Sequence, residues 1–125
     1  MEHLEHEALV EQRRRIVDKL HAKDLRLADA RKFVSKALDA FTPTLSLLSD
    51  EHAQKLAKEL PLWKQLYTHF VELEKLALQH EAARALDFSP DTLAAIEHSQ
   101  HTYRNDATEL LKDIKELLDD YKDRS

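Results

Sequence analysis

The stretch that decides the fold is residues 88–121, FSPDTLAAIEHSQHTYRNDATELLKDIKELLDDY. Its start carries a helix signal, because Ser89 suits the N-cap position and Pro90 suits the first helical position. After this start, residues recur at intervals of three and four, which is typical of helices that pack at shallow angles. These seam residues are Leu93, Ile96, Gln100, Tyr103, Ala107, Leu110, Ile114, Leu117 and Tyr121. The pattern predicts a helix over residues 90–122.

The composition extends the helical interpretation to the whole chain. The 125 residues include no glycine, whereas an average chain of this length carries roughly nine. Tight hairpin turns and phosphate-binding loops use glycine because their backbones need positive φ angles. A sheet protein and a nucleotide-binding loop are therefore disfavoured, and the predicted class is all-α.

The prolines divide the rest of the chain. At Pro61 a new helix either begins or continues with a bend, and the sequence leaves these two alternatives open. Nothing between residues 3 and 41 stops a helix. The prediction is a single domain over residues 1–125 with helices at about 3–41, 50–60, 62–86 and 90–122. These three long helices and one short helix would form an elongated up-and-down bundle with coiled-coil-like packing.

The first predicted helix has charged residues at unusual places. Arg13 falls on its apolar seam, so either the packing loosens there or the side-chain stem extends past the core. Residues 13–15 are three consecutive arginines. On a helix these side chains point in different directions, which predicts solvated surface and no single basic patch.

Charge and residue usage narrow the function classes. The chain has 24 acidic and 19 basic residues and a formal charge of −5, which predicts no nucleic-acid partner and no membrane partner. No cysteine is present, so disulfides, thiolate zinc sites and cysteine nucleophiles are excluded. The N-terminal residues are acidic and polar, so no secretory signal is expected. We expect a cytoplasmic protein without a cofactor.

Two histidines in residues 97–106, EHSQHTYRND, are the candidate metal ligands. His98 and His101 are three apart, so both rings can share a helix face and bind a divalent metal. The seam places them on the opposite, solvent side, and the favoured interpretation is a solvated pair. Gln100 and Tyr103 face the seam, where a polar residue can set the register or the partner. His3 and His6 repeat the same spacing near the N-terminus.

A second histidine-dependent alternative comes from an architectural likeness. Around His80 the sequence reads LQHEAARAL, within a helical chain of about the size of a histidine phosphotransfer domain. The chain resembles that family in size and architecture, which implies phosphorylation of an exposed histidine in mid-helix. The family pattern has a lysine and a glycine after the histidine, whereas Glu81 and Ala82 follow His80.

The function predicted from these features is a non-enzymatic helical protein–protein interaction module, such as an adaptor, a chaperone-like protein or a regulator. Its partner would be a helical protein, and self-association through a heptad seam is one version. The candidate contact residues are Trp63, Tyr67, Phe70, Gln100, Tyr103, Leu110, Ile114 and Leu117. The alternatives are a histidine-dependent bundle that binds metal or transfers phosphate, and an engineered helical bundle, which the absence of glycine suggests.

Overall fold

The computed structural model describes the backbone of residues 2–21, 25–45 and 50–122, and the side chains of residues 8–21, 25–39 and 53–120. Within these ranges the chain forms four helices and no strand. They are α1 (Glu2–Leu20), α2 (Leu27–Leu45), α3 (Asp50–Ala85) and α4 (Pro90–Lys122). The all-α class and the helical bundle are confirmed, and none of the described helices has an apolar stretch able to cross a membrane.

The single helix predicted over residues 3–41 is corrected to two helices. Helix α1 ends at Leu20, and Leu25 and Arg26 are not helical. No proline or glycine marks this break. The apolar stripes of both helices are buried in one core (Val10, Ile16, Val17, Leu20, Ala30, Val34 and Ala37). One straight helix would leave half of this stripe in water, so burial favours the chain reversal.

Helix α3 continues through Pro61, where the sequence left open whether the predicted helices 50–60 and 62–86 are continuous. Proline removes one backbone hydrogen bond and costs about 3 kcal/mol inside a helix. Buried side chains recur at intervals of three and four on both sides of the exposed Pro61 (Leu56, Glu59, Trp63, Leu66, Phe70 and Leu73). This continuous buried stripe holds both halves in line and offsets the cost of the proline. The predicted N-cap Ser49 lies outside the described residues.

The helices alternate in direction. Side-chain contacts join α3 to α4 in antiparallel order: Lys55 with Asp120 at 3.3 Å, His69 with Asp106 at 3.8 Å and His80 with Glu97 at 3.0 Å. Arg13 of α1 meets Glu59 near the start of α3, and Arg31 of α2 meets Glu74 further along. Helix α1 packs against α2 and α4, which closes an up-and-down bundle.

The bundle is unequal along its length, because α3 and α4 are nearly twice as long as α1 and α2. We call residues 76–103 the arm, and we call α1, α2 and the remaining parts of α3 and α4 the body. Of the arm residues, Ala83 alone is buried, and the other buried side chains that the structure describes belong to the body. Within the described residues, the arm is thus a two-helix hairpin with almost no buried side chain.

Candidate functional site

The chain reverses direction at the tip of the arm, where α3 ends without a glycine. Asp87 has a φ of 53°, its N–H donates to the Arg84 carbonyl at 3.2 Å, and the Phe88 N–H donates to the Ala83 carbonyl at 2.9 Å. These two bonds define the Schellman motif, in which glycine usually takes the left-handed position. An aspartate tolerates that conformation at a cost of about 1 kcal/mol. The turn holds the two arm helices as one rigid hairpin.

The start of α4 confirms the predicted cap. The Ser89 hydroxyl accepts a hydrogen bond from the Thr92 N–H at 3.3 Å, and Pro90 is the first helical residue. This bond satisfies one of the backbone donors that a helix start leaves unpaired. Both helix ends at the tip of the arm are therefore capped by local interactions.

The start of α2 contacts α3 close to the arm. The Arg31 Nε donates to both oxygens of Glu74, at 3.2 and 3.1 Å. Hydrogen bonding to Glu74, and secondly to the Tyr67 side chain, raises the pKa of the Arg31 guanidinium. Tyr67 and Glu74 thus mark the face of α3 that α2 covers.

The same face of α3 continues into the arm without a cover. Leu78, Ala82 and Ala85 follow Glu74 at spacings that keep them on this face, and Leu86 adjoins them. We call Leu78, Ala82, Ala85 and Leu86 the arm stripe, and all four are exposed. Leu78 and Leu86 each expose 68% of their surface, and Phe88 exposes 50%. Among the described side chains, these three are the exposed large apolar residues.

Two opposite charges lie on the exposed surface of α3 in the arm. Glu81 and Arg84 are exposed and lie one turn apart on α3, and neither forms an ion pair with another described residue. On the other side of α3, the His80 Nε2 lies 3.0 Å from the Glu97 Oε1 and connects α3 to α4. His80 and Glu97 are thus paired within the arm, whereas Glu81 and Arg84 are exposed to solvent.

A cleft lies where the arm meets the body. Its volume is about 360 Å³, and its lining includes Leu25 and Leu27 at the start of α2 and Phe70 and Leu73 of α3. Arg104 is the charged residue in this lining. The cleft is therefore a recess of mixed polar and apolar character at the base of the arm.

A buried polar cluster in the body corrects the expectation of solvated arginines. Arg13 and Glu59 are fully buried, with Arg13 Nε donating to Glu59 Oε2 at 2.6 Å and Nη2 donating to Oε1 at 3.2 Å. The Trp63 indole donates to Glu59 Oε2 at 2.8 Å, and Arg13 Nη1 donates to the Leu9 carbonyl at 3.2 Å. Because no part of this cluster reaches solvent, it serves packing.

The other two arginines of that run point elsewhere, as predicted. Arg14 donates to the Leu118 carbonyl at 3.1 Å and lies 3.5 Å from Asp119, so it joins α1 to α4. Arg15 is exposed and pairs with Glu11 at 3.8 Å. The three arginines therefore form no single basic patch.

The candidate metal ligands do not come together with further ligands. His98 and His101 are exposed, and the His101 Nε2 lies 3.2 Å from the Asn105 amide nitrogen. The described residues contain no group of three or more metal-binding side chains. The side chains of His3 and His6 lie outside the described residues.

The predicted contact residues divide between the core and its border. Trp63, Phe70, Leu110 and Ile114 are buried in the body. The others are partly buried (Tyr67, Gln100, Tyr103 and Leu117), and the Tyr103 ring packs edge-on against His69 at 5.4 Å. Whether any of them contacts a partner stays a prediction.

Sequence reasoning did not select the arm stripe or the Glu59 carboxylate. A signal for each was present in the sequence. The apolar arc of α3, which includes Leu78, is wider than one seam requires, and a charged residue on an apolar seam requires a partner such as Glu59.

No protein-family model, curated protein or solved structure matches this chain. The function is therefore argued from the geometry described above.

Proposed function

We propose that this chain is a non-enzymatic helical interaction module and that its arm binds a helical partner protein. The observation that carries the proposal is the position of Leu78, Leu86 and Phe88. These side chains are exposed in the hairpin that α3, α4 and the turn between them form beyond α1 and α2. Clustered exposed apolar side chains are a common mark of a protein-binding surface.

The energetics favour a partner on this surface. Full burial of a leucine or phenylalanine side chain contributes roughly 1.5–3 kcal/mol, and the three side chains lie within a few helical turns of each other. The caps at Asp87 and Ser89 hold the hairpin in shape before binding. A preordered surface loses less conformational entropy on binding than a flexible one.

The shape of the surface suits a helix. The arm stripe follows the spacing by which one helix packs along another, and the same face binds α2 in the body through Tyr67 and Glu74. A partner helix would extend this packing along α3. A cytoplasmic location is part of the proposal.

The experiment compares capture of partners from a lysate of the source cells by wild-type and variant chains. We expect Leu78→Glu/Leu86→Glu to lose at least about tenfold of the captured partner, because two charges would be buried in the contact. The matched control is Gln54→Glu/Gln65→Glu, which adds the same charges to exposed positions of the body.

Circular dichroism establishes that both variants keep the wild-type helix content. Capture that is absent from the wild type, or equal in the arm variant and the body variant, would overturn the proposal.

A further inference from the structure

We propose that the partner of the arm is a cationic amphipathic helix, in which lysine or arginine side chains flank the apolar contact residues. This inference rests on the proposed function and names the chemistry of the partner that binds the same surface. Two observations carry it. The arm contains almost no basic residue, and exposed acidic side chains lie beside its exposed apolar ones.

Basic residues are distributed unevenly along the chain. The arm contains one arginine and no lysine, although the whole chain contains 19 lysines and arginines. An even distribution would place several of them in the arm. Its charged residues are Glu81, Arg84, Asp87, Asp91 and Glu97, which give a formal charge of −3 with neutral histidines. An excess of one charge on a surface attracts a partner of the opposite charge.

The one arginine of the arm lies away from the arm stripe. Successive residues of a helix are rotated by about 100°, so Arg84 is about 160° from Ala82 and from Leu86, and about 120° from Leu78. Its guanidinium therefore does not offset the negative charge beside the stripe.

Glu81 borders the arm stripe directly. It lies three residues after Leu78 and four residues before Ala85, and these are the spacings of neighbouring side chains on a helix surface. Glu81 is exposed and forms no ion pair within the described part of the chain. A lysine or arginine that flanks the apolar stripe of a partner helix can pair with this carboxylate, as flanking charges do in coiled coils.

The charges at the base of the stripe are already paired. Lys75 lies one turn before Leu78, and its Nζ is 3.3 Å from the Glu72 Oε1. Glu74 pairs with Arg31 of α2. The charges without a partner therefore lie further along the arm, toward its tip.

The tip of the arm adds two carboxylates beside exposed apolar side chains. Asp87 lies between Leu86 and Phe88 in the sequence, and Asp91 lies in the first turn of α4. Both aspartates are exposed, and neither forms an ion pair with a residue that the structure describes. Exposed negative charge and exposed apolar side chains thus occupy the same part of the arm.

Binding of two synthetic helical peptides tests the charge preference by fluorescence anisotropy. Both peptides carry the same leucine stripe, which lysines flank in one and glutamates flank in the other. At about pH 7.5 the histidines are mostly neutral. We expect the wild-type chain to bind the lysine peptide at least about tenfold more tightly, because like charges across a contact oppose binding. Equal affinities, or no binding of the lysine peptide, would overturn the inference.

Neutral variants of the arm test where the lysine peptide binds. Glu81→Gln/Asp87→Asn/Asp91→Asn should raise its dissociation constant at least about fivefold, because three attractive charges are removed. Asparagine tolerates the φ of 53° at residue 87 as aspartate does, so the turn is kept. Circular dichroism checks that the helix content is unchanged.

The matched control removes three charges from the body. Glu109→Gln/Asp113→Asn/Glu116→Gln changes exposed residues of α4 and leaves the same net charge as the arm variant. Its dissociation constant should stay within about twofold of the wild type, because these residues lie outside the arm. Equal weakening by the two variants would mean that the peptide binds any acidic surface, and it would overturn the inference.

The failure of this inference is distinguishable from the failure of the proposed function. A protein captured through Leu78 and Leu86, combined with equal binding of the two peptides, would overturn the cationic partner and leave the interaction module intact. No arm-dependent capture and no peptide binding would overturn both.

Discussion

The body and the arm contain parts of the same two helices in different surroundings. Leu73 of α3 is 1% exposed in the body, whereas Leu78, five residues later, is 68% exposed in the arm. The two leucines lie about 140° apart around α3, so they belong to different faces of that helix. On the face of Leu78, α2 contacts α3 at Glu74 in the body, whereas Leu78 itself is exposed because that contact does not extend into the arm.

This contrast separates the residues that stabilise the fold from those available for binding. The body buries a charged pair, Arg13 and Glu59, together with most of the apolar core. The arm keeps its shape through capping and local pairs and presents Leu78, Leu86 and Phe88 to solvent. Substitutions in the body should therefore change stability, and substitutions in the arm should change association.

The largest expected effect tests the buried cluster of the body. Glu59→Ala leaves Arg13 buried without its carboxylate and removes the acceptor of the Trp63 indole. We expect a loss of about 3–5 kcal/mol in the free energy of unfolding, because an unpaired buried charge is strongly unfavourable. Urea denaturation followed by circular dichroism measures this loss.

The matched control for that variant is Glu81→Ala in the arm. Glu81 is exposed, so its removal should change the free energy of unfolding by less than about 0.5 kcal/mol. If Glu59→Ala and Glu81→Ala lowered the free energy of unfolding by similar amounts, the proposed difference in stability between body and arm residues would be wrong.

A smaller effect compares the two leucines directly. Leu73→Ala should cost about 2–5 kcal/mol, because it opens a cavity in the core. Leu78→Ala should cost less than about 0.5 kcal/mol and should reduce the amount of partner protein that the chain captures. A Leu78→Ala loss above about 2 kcal/mol would mean that the arm stripe is packed within the chain.

The smallest expected effect concerns the tip of the arm. Asp87→Gly should raise the free energy of unfolding by about 0.5–1 kcal/mol, because glycine adopts the φ of 53° without steric cost. Amide hydrogen exchange of residues 83–93 should slow in parallel. Asp87→Asn separates backbone conformation from charge and should change stability by less than about 0.5 kcal/mol. A destabilised Asp87→Gly variant would contradict the Schellman geometry.

The fold class and the last helix were predictable because their signals are local. The helix predicted over residues 90–122 is observed as Pro90–Lys122, with Ser89 as its cap. The sequence also predicted that Tyr103, Leu110 and Ile114 lie on the inward side of α4. Leu110 and Ile114 are in the core, and Tyr103 packs against it. Capping and periodicity act within about four residues along the chain, so they are visible in the sequence.

The candidate site was less predictable, because exposure depends on distant parts of the chain. Leu78 belongs to the apolar arc of α3. Nothing near it in the sequence indicates that the contact between α2 and α3 stops close to Glu74. Likewise, Arg13 and Glu59 are 46 residues apart in sequence. The arginine on the seam was recognised, but its partner was not.

The sequence by itself determined a glycine-free, all-α chain, the capped start of α4 and the seams along its helices. The tertiary structure decided the reversal between α1 and α2, the continuity of α3 through Pro61 and the exposure of the arm stripe. The physical reason is the range of the interactions. Helical hydrogen bonds and caps act between neighbouring residues. The burial of a side chain depends instead on which helices pack together and on where α1 and α2 end along α3 and α4.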